Sequence, residues 1–101
     1  MRYMVHIEIS PEAGNKLDFE EGGPGAIIKY LAERFKPEMF YVTTIRRAMW
    51  MVMDLNESTM AELMLVVSKK FGSYPLCTPV IHGPDVVEVA AEAIEVAKNA
   101  P

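Results

Sequence analysis

The sequence predicts an α+β domain of order β-α-β-β-α-β-α, a split βαβ arrangement that builds a four-stranded antiparallel sheet with two helices on one face. Three observations predict it. Residues 2–9, Arg-Tyr-Met-Val-His-Ile-Glu-Ile, alternate with a period of two. Residues 39–55 hold two adjacent runs of apolar, aromatic and β-branched residues with no Gly or Pro between them. Two further segments carry apolar residues at helical spacing, Ile27, Ile28, Leu31 and Phe35, then Met60, Leu63, Met64, Val67 and Phe71.

The first strand places Tyr3, Val5, Ile7 and Ile9 on one face and Arg2, Met4, His6 and Glu8 on the other. Ser10-Pro11 opens a short helical turn that Gly14-Asn15 closes. Residues 20–25, Glu-Glu-Gly-Gly-Pro-Gly, read as a loop, with Pro24 suited to a first helical position. Lys36-Pro37 ends that helix, because a residue before proline avoids the α region. Met39 to Leu55 then folds back on itself through a turn near Ile45-Arg46-Arg47. Thr59 and Glu62 have capping-box spacing ahead of the second helix, and Lys69, Lys70 and Gly72 suit its end. Leu76 to His82 forms a last strand, which Pro75 and Pro79 confine to an edge or a bulge. Asp85 takes the capping role for a third helix whose buried stripe is Val86, Val89, Ala90, Ala93, Ile94 and Ala97.

The 101 residues make a single domain, 1–101, with room for one core. Half of them are hydrophobic and 24% are charged, a globular composition. The net charge of −4 argues against nonspecific attraction to nucleic acid or to an anionic membrane. Cys77 is the one cysteine, which excludes an intrachain disulfide and a Cys-rich metal site. His6 and Glu8 interrupt the apolar core that a signal peptide needs, and no run is long enough to span a bilayer, so a soluble cytoplasmic protein is expected.

The strand from Ala48 to Leu55 is apolar on both sides. Ala48, Trp50 and Val52 share one face, and Met49, Met51, Met53 and Leu55 share the other. Such a strand belongs to a sheet covered on both faces. Two helices cover one; the methionine face is expected to meet a second copy around a two-fold axis, giving a homodimer. The third helix is the rival cover, folding back onto that face in a monomer.

Pro11 to Asn15, Lys36 to Thr44, Arg47, Asp54-Leu55 and Pro79-Val80 together resemble a group of small uncharacterised bacterial proteins. These are similar in turn to the dimeric α+β barrel superfamily with ferredoxin-like protomers. The resemblance spans most of the chain up to the third helix. It implies a homodimer whose sheets face one another as a barrel. The superfamily holds monooxygenases, isomerases, haem-handling enzymes and proteins without known activity, so kinship in fold names no reaction. The short turn containing Arg46 and the stretch Ser68-Lys69-Lys70-Phe71 depart from the pattern of these relatives.

The candidate ligand-binding residues are Tyr41, Arg47, His6, Trp50 and His82. Arg47 offers a planar fork of donors to a carboxylate, or else pairs with Glu38 and solvates the turn. Tyr41 can donate to a substrate oxygen, or sit at the core edge with its hydroxyl wet. His6 and Glu8 are two metal ligands at most, with no third, so no metal or cofactor is assigned. His82 near Asp85 can form an acid–base pair unless Asp85 caps the helix. Trp50 and the methionines line either an apolar pocket or a dimer core. Cys77 has no neighbouring base and reads as a buried inert thiol. Gly22 to Gly25 fits neither the dinucleotide nor the P-loop spacing and reads as a flexible loop, or lid. The sequence thus favours a homodimeric binding or structural module for a small apolar or anionic molecule. The alternative is a monooxygenase- or isomerase-type enzyme using Tyr41, Arg47 and a histidine.

Overall fold

The alternating run at residues 2–9 and the doubly apolar run at 48–55 lie side by side and form the centre of the sheet. A computed structural model describes residues 1–101. Its elements are β1 (Arg2–Glu8), α1 (Pro11–Glu20), α2 (Gly25–Phe35), β2 (Met39–Thr43), β3 (Ala48–Asp54), α3 (Glu57–Phe71), β4 (Leu76–Pro79), a 3-10 turn at Gly83–Asp85 and α4 (Val86–Ala97). The sheet is antiparallel throughout, in the order β2-β3-β1-β4. The ladder runs on past the strand ends: Leu55 N–H donates to the Met1 carbonyl at 2.9 Å, and Val80 N–H to that of Arg2 at 3.0 Å.

Register decides the two faces. Tyr3, Val5 and Ile7 oppose Met53, Met51 and Met49, so all six point to one side. Leu31 of α2, Leu63, Val67 and Phe71 of α3 and Leu17 of α1 close over them in a single buried cluster. Met49, Met51 and Met53 are at most 1% exposed. The expectation that the methionine face awaits a second copy is therefore corrected: this chain's own helices seal it. Flexible thioether side chains fit the uneven underside of three helices, which is where methionine packs well. The face left without a helix is the other one, carrying Trp50, Val52, Met4 and His6.

Several local expectations are also revised. Gly14-Asn15 does not stop the first helical turn, and α1 spans 10 residues, Pro11–Glu20. The Ser10 side chain accepts from Ala13 N–H at 3.1 Å, Pro11 supplies a helical φ, and Leu17 anchors the helix in the core. Pro24 stands at the cap of α2 rather than within it. The stop at Lys36-Pro37 is as expected, with Lys36 ending α2 in the left-handed region at φ 47°. α3 is capped by Asn56 and Thr59, which exchange hydrogen bonds of 2.9 Å, three residues before the Thr59–Glu62 box expected. Glu62 instead accepts from Arg34 of α2 at 2.8 Å. β4 is an edge strand of only four residues. Asp85 makes no side-chain cap, because the 3-10 turn places it in helical backbone already.

α4 neither folds back over the sheet nor joins the core. None of its residues is buried, and it stretches the molecule to 57 Å against 28 and 27 Å on the other axes. No helix of the protein is long and apolar enough to cross a membrane.

The burial pattern sets a graded expectation for stability. Met51→Ala lowers unfolding free energy by about 2–5 kcal/mol in urea melts, from lost transfer energy and a cavity under three helices. Leu65→Ala, on the wet side of α3 and 69% exposed, changes it by less than about 0.5 kcal/mol.

Candidate functional site

The open face of the sheet collects most of the residues that the sequence singles out. Strand register aligns them in rows. Tyr41, Trp50, His6 and Leu76 stand opposite one another across all four strands. Beside them run Met39, Val52, Met4 and Thr78, and then Thr43, Ala48 and Glu8. The rings of His6 and Trp50 stack with centroids 4.9 Å apart and planes 8° from parallel. That separation is an offset stack, the arrangement that ring quadrupoles favour. Tyr41 at the β2 edge is 67% exposed, and Leu76 at the β4 edge 65%.

His6 is the one polar group in the middle of this face. Its Nε2 is out of reach of solvent and has no hydrogen-bond partner within the chain. The nearest carboxylate oxygen, Glu8 Oε1, is 3.8 Å away, too far for a hydrogen bond. Glu8 also lies 3.7 Å from Arg46. An unpartnered ring nitrogen between apolar neighbours costs free energy, of order 1–3 kcal/mol, until some group meets it.

Arg47 is elsewhere. It closes the four-residue turn between β2 and β3 at φ 50°, and its guanidinium reaches the helix-bearing side of the sheet. There Nε donates to Asp18 Oδ2 at 3.1 Å and one terminal nitrogen donates to Asn15 Oδ1 at 2.9 Å. The side chain lies on Gly14, where an added Cβ would overlap the arginine Cδ. Gly14, Asn15 and Asp18 thus form a receptor for the arginine, and only glycine leaves the room. Glu38, the partner considered from sequence, is taken by Arg2 Nε at 2.8 Å. The signal for this receptor was present, since Gly14 and Asp18 are four apart and share a helical face. It becomes visible only once α1 is known to continue past Asn15.

His82 is exposed in the segment after β4, with its side chain in no hydrogen bond, so the structure does not bring it to His6. Gly22 and Gly23 take positive φ and connect α1 to α2 on the surface. No three His, Cys, Asp or Glu side chains converge as metal ligands. Cys77 is half-buried on the helix-bearing face, opposite Val5, and burial pushes its thiol pKa up.

Between sheet and helices there is no open chamber, because the methionines and aliphatic side chains fill it. An open groove of about 1400 Å³ lies among α1, α2 and α3. Leu17, Phe19, Ile27 and Tyr30 line it, and its rim carries Lys16, Lys69 and Lys70 against Glu12, Glu20 and Glu21. Lys70 donates to Glu21 at 2.7 Å, and this hydrogen bond holds the Glu21 carboxyl below its ordinary pKa. The rim is balanced in charge and offers no excess to an anion.

Comparison with models of known protein families, with curated proteins and with solved structures finds no match to this chain.

Two measurements test this geometry. In a double-mutant cycle, Arg47 and Asp18 couple by roughly 0.5–1 kcal/mol, the range for partly exposed pairs, and Gly14→Ala removes the coupling by displacing the arginine. Cys77 is alkylated by iodoacetamide at pH 8.5 more slowly than in urea-unfolded protein. Its raised pKa keeps it a neutral thiol, and the stability from burying that thiol is lost as pH rises through the folded-state value.

Proposed function

We propose that this protein is a binding or structural module that works as a homodimer of ferredoxin-like protomers, two open sheet faces turned toward each other as in a dimeric α+β barrel. The observation that carries the proposal is the open face itself. It is built from Trp50, Val52, Met4 and Met39, with Tyr41 and Leu76 largely exposed at its edges, and no helix of the chain lies over it. An apolar face of this extent is disfavoured in water, and a two-fold copy presents the same surface in return. The case for a partner therefore rests on Trp50 and its row rather than on the methionines.

The ferredoxin-like reading is supported by the strand order β2-β3-β1-β4. β3 lies between β1 and β2, β1 lies between β3 and β4, and each outer pair is joined through helix. Those are two split βαβ units interleaved in one sheet. A small molecule bound by this module sits between the two copies, since the space under the helices is filled. It is apolar or planar enough to lie on the Trp50 row.

Sedimentation equilibrium at micromolar concentration gives a mass twice that of the chain. Trp50→Glu places a charge in the centre of the shared face and yields monomers with an unchanged helical circular-dichroism spectrum. A wild-type chain that sediments as a monomer rejects the dimer.

A further inference from the structure

The two edges of the sheet differ, and the difference lies in the backbone. Ile9 N–H donates to the Arg47 carbonyl at 3.1 Å, and Leu55 N–H to the Met1 carbonyl at 2.9 Å. Backbone groups of successive strand residues point to opposite sides. Met49, Met51 and Met53 therefore turn theirs toward β1, and Ala48, Trp50 and Val52 turn theirs toward β2. Thr43, Tyr41 and Met39 oppose those last three and are the β2 residues that face the ladder. Phe40 and Val42 are left pointing their N–H and C=O groups off the sheet. At the other edge, the bond from Val80 N–H to the Arg2 carbonyl at 3.0 Å fixes the same alternation, and Cys77 and Pro79 of β4 point outward.

Pro79 has no N–H to offer, and a proline in such a position guards an edge against pairing. β2 has no guard of this kind. Met39 to Thr43 contains no proline and no charge. Its rim is open on both sides: Tyr41, on the open face, is 67% exposed, and Val42, on the helix-bearing face opposite Met49, is 45% exposed. The helical layer does not reach over this rim.

β2 is also suited to pair with itself. Turned antiparallel about a two-fold axis through Tyr41, two copies set Phe40 of each opposite Val42 of the other. These are the residues whose backbone groups point outward, so the junction closes with backbone hydrogen bonds on both sides of the axis. On the helix-bearing side an aromatic residue then lies beside a β-branched one, twice. On the open side Tyr41 lies beside Tyr41 of the second copy. Both combinations stabilise antiparallel pairs. This match between the strand and its own reverse singles out a second copy of the chain as the occupant.

We infer that the β2 edge is a self-association surface distinct from the open face: two copies join β2 to β2, antiparallel and centred on Tyr41, into one continuous eight-stranded sheet. The contact runs through backbone groups in the plane of the sheet and leaves the open face free for the homodimer proposed above. Neither contact requires the other. Strands of five residues make a small interface, so this association forms at millimolar concentration.

Disulfide trapping in the full chain with Cys77→Ala tests it. Cα atoms of a non-hydrogen-bonded antiparallel pair stand about 4.5 Å apart, within reach of a disulfide. Tyr41→Cys is expected to cross-link two copies under mild oxidation at millimolar concentration; Val42→Cys and Thr43→Cys, which do not face their own copies in this register, are expected not to. Val42→Pro removes a donor that the protomer's own ladder does not use, and is expected to lower the Tyr41→Cys cross-link about tenfold with an unchanged circular-dichroism spectrum. Val42→Lys, a charge on the exposed rim, is expected to act the same way. In the wild-type chain, hydrogen exchange at the Phe40 and Val42 amides slows between micromolar and millimolar concentration. Trapping strongest at Val42→Cys, a Tyr41→Cys cross-link that persists with both Val42 variants, or Phe40 and Val42 amides indifferent to concentration overturns the edge pairing. A wild-type chain that is monomeric at micromolar concentration rejects the face-to-face dimer alone.

Discussion

The pairing of β1 with β3 governs this structure. These two strands bring Val5 and Ile7 against Met51 and Met49, four side chains that are at most 1% exposed. Burial of that kind stabilises by about 1.5–3 kcal/mol per side chain, and it dictates which side the helices must cover. α1, α2 and α3 all settle there. Everything on the reverse of the same two strands, from Trp50 to Met4, is then left without helical cover. One choice of register produces both the core and the open face.

The helical layer is held in place by side chains that bridge elements. Arg47 fastens the hairpin turn to α1, Arg34 ties α2 to Glu62 of α3, and Lys70 ties α3 to Glu21 at the end of α1. These pairs are partly exposed, so each contributes little to net stability. Their value lies in orientation. Arg47 shows how this works: its left-handed turn, a glycine that makes room and two acceptors on α1 act together. An arginine that looks like a ligand's partner by itself is, in its surroundings, a bolt between turn and helix.

Much of the fold was legible in the chain. The period of two in residues 2–9, the double-sided apolar run 48–55 and the helical stripes at 27–35 and 60–71 place their elements correctly, because each period records a local geometry. The faces of β3 were legible too. Which face the helices would take was not, since Trp50 with Val52 and the methionine set are both apolar and a strand's alternation does not say which layer lies above. α1 was missed for a related reason. Gly14 and Asn15 disfavour a helix locally, and the compensation comes from Leu17 in the core and from Arg47, 33 positions after Gly14. Of the candidate site, Tyr41, Trp50 and His6 come together through strand register; Arg47 and His82 are taken elsewhere by the turn and by the tail.

The sequence by itself determined the four strands and three of the four helices, the charge balance and the presence of an apolar surplus beyond what one core needs. Those properties are local or additive, so they can be read without knowing which residues touch. The tertiary structure decided which surface holds the surplus, that the arginine of the turn belongs to α1, and that the last helix stands clear of its own sheet. Each of these depends on contacts between residues far apart in the chain, and such contacts exist only after the layers have chosen their sides.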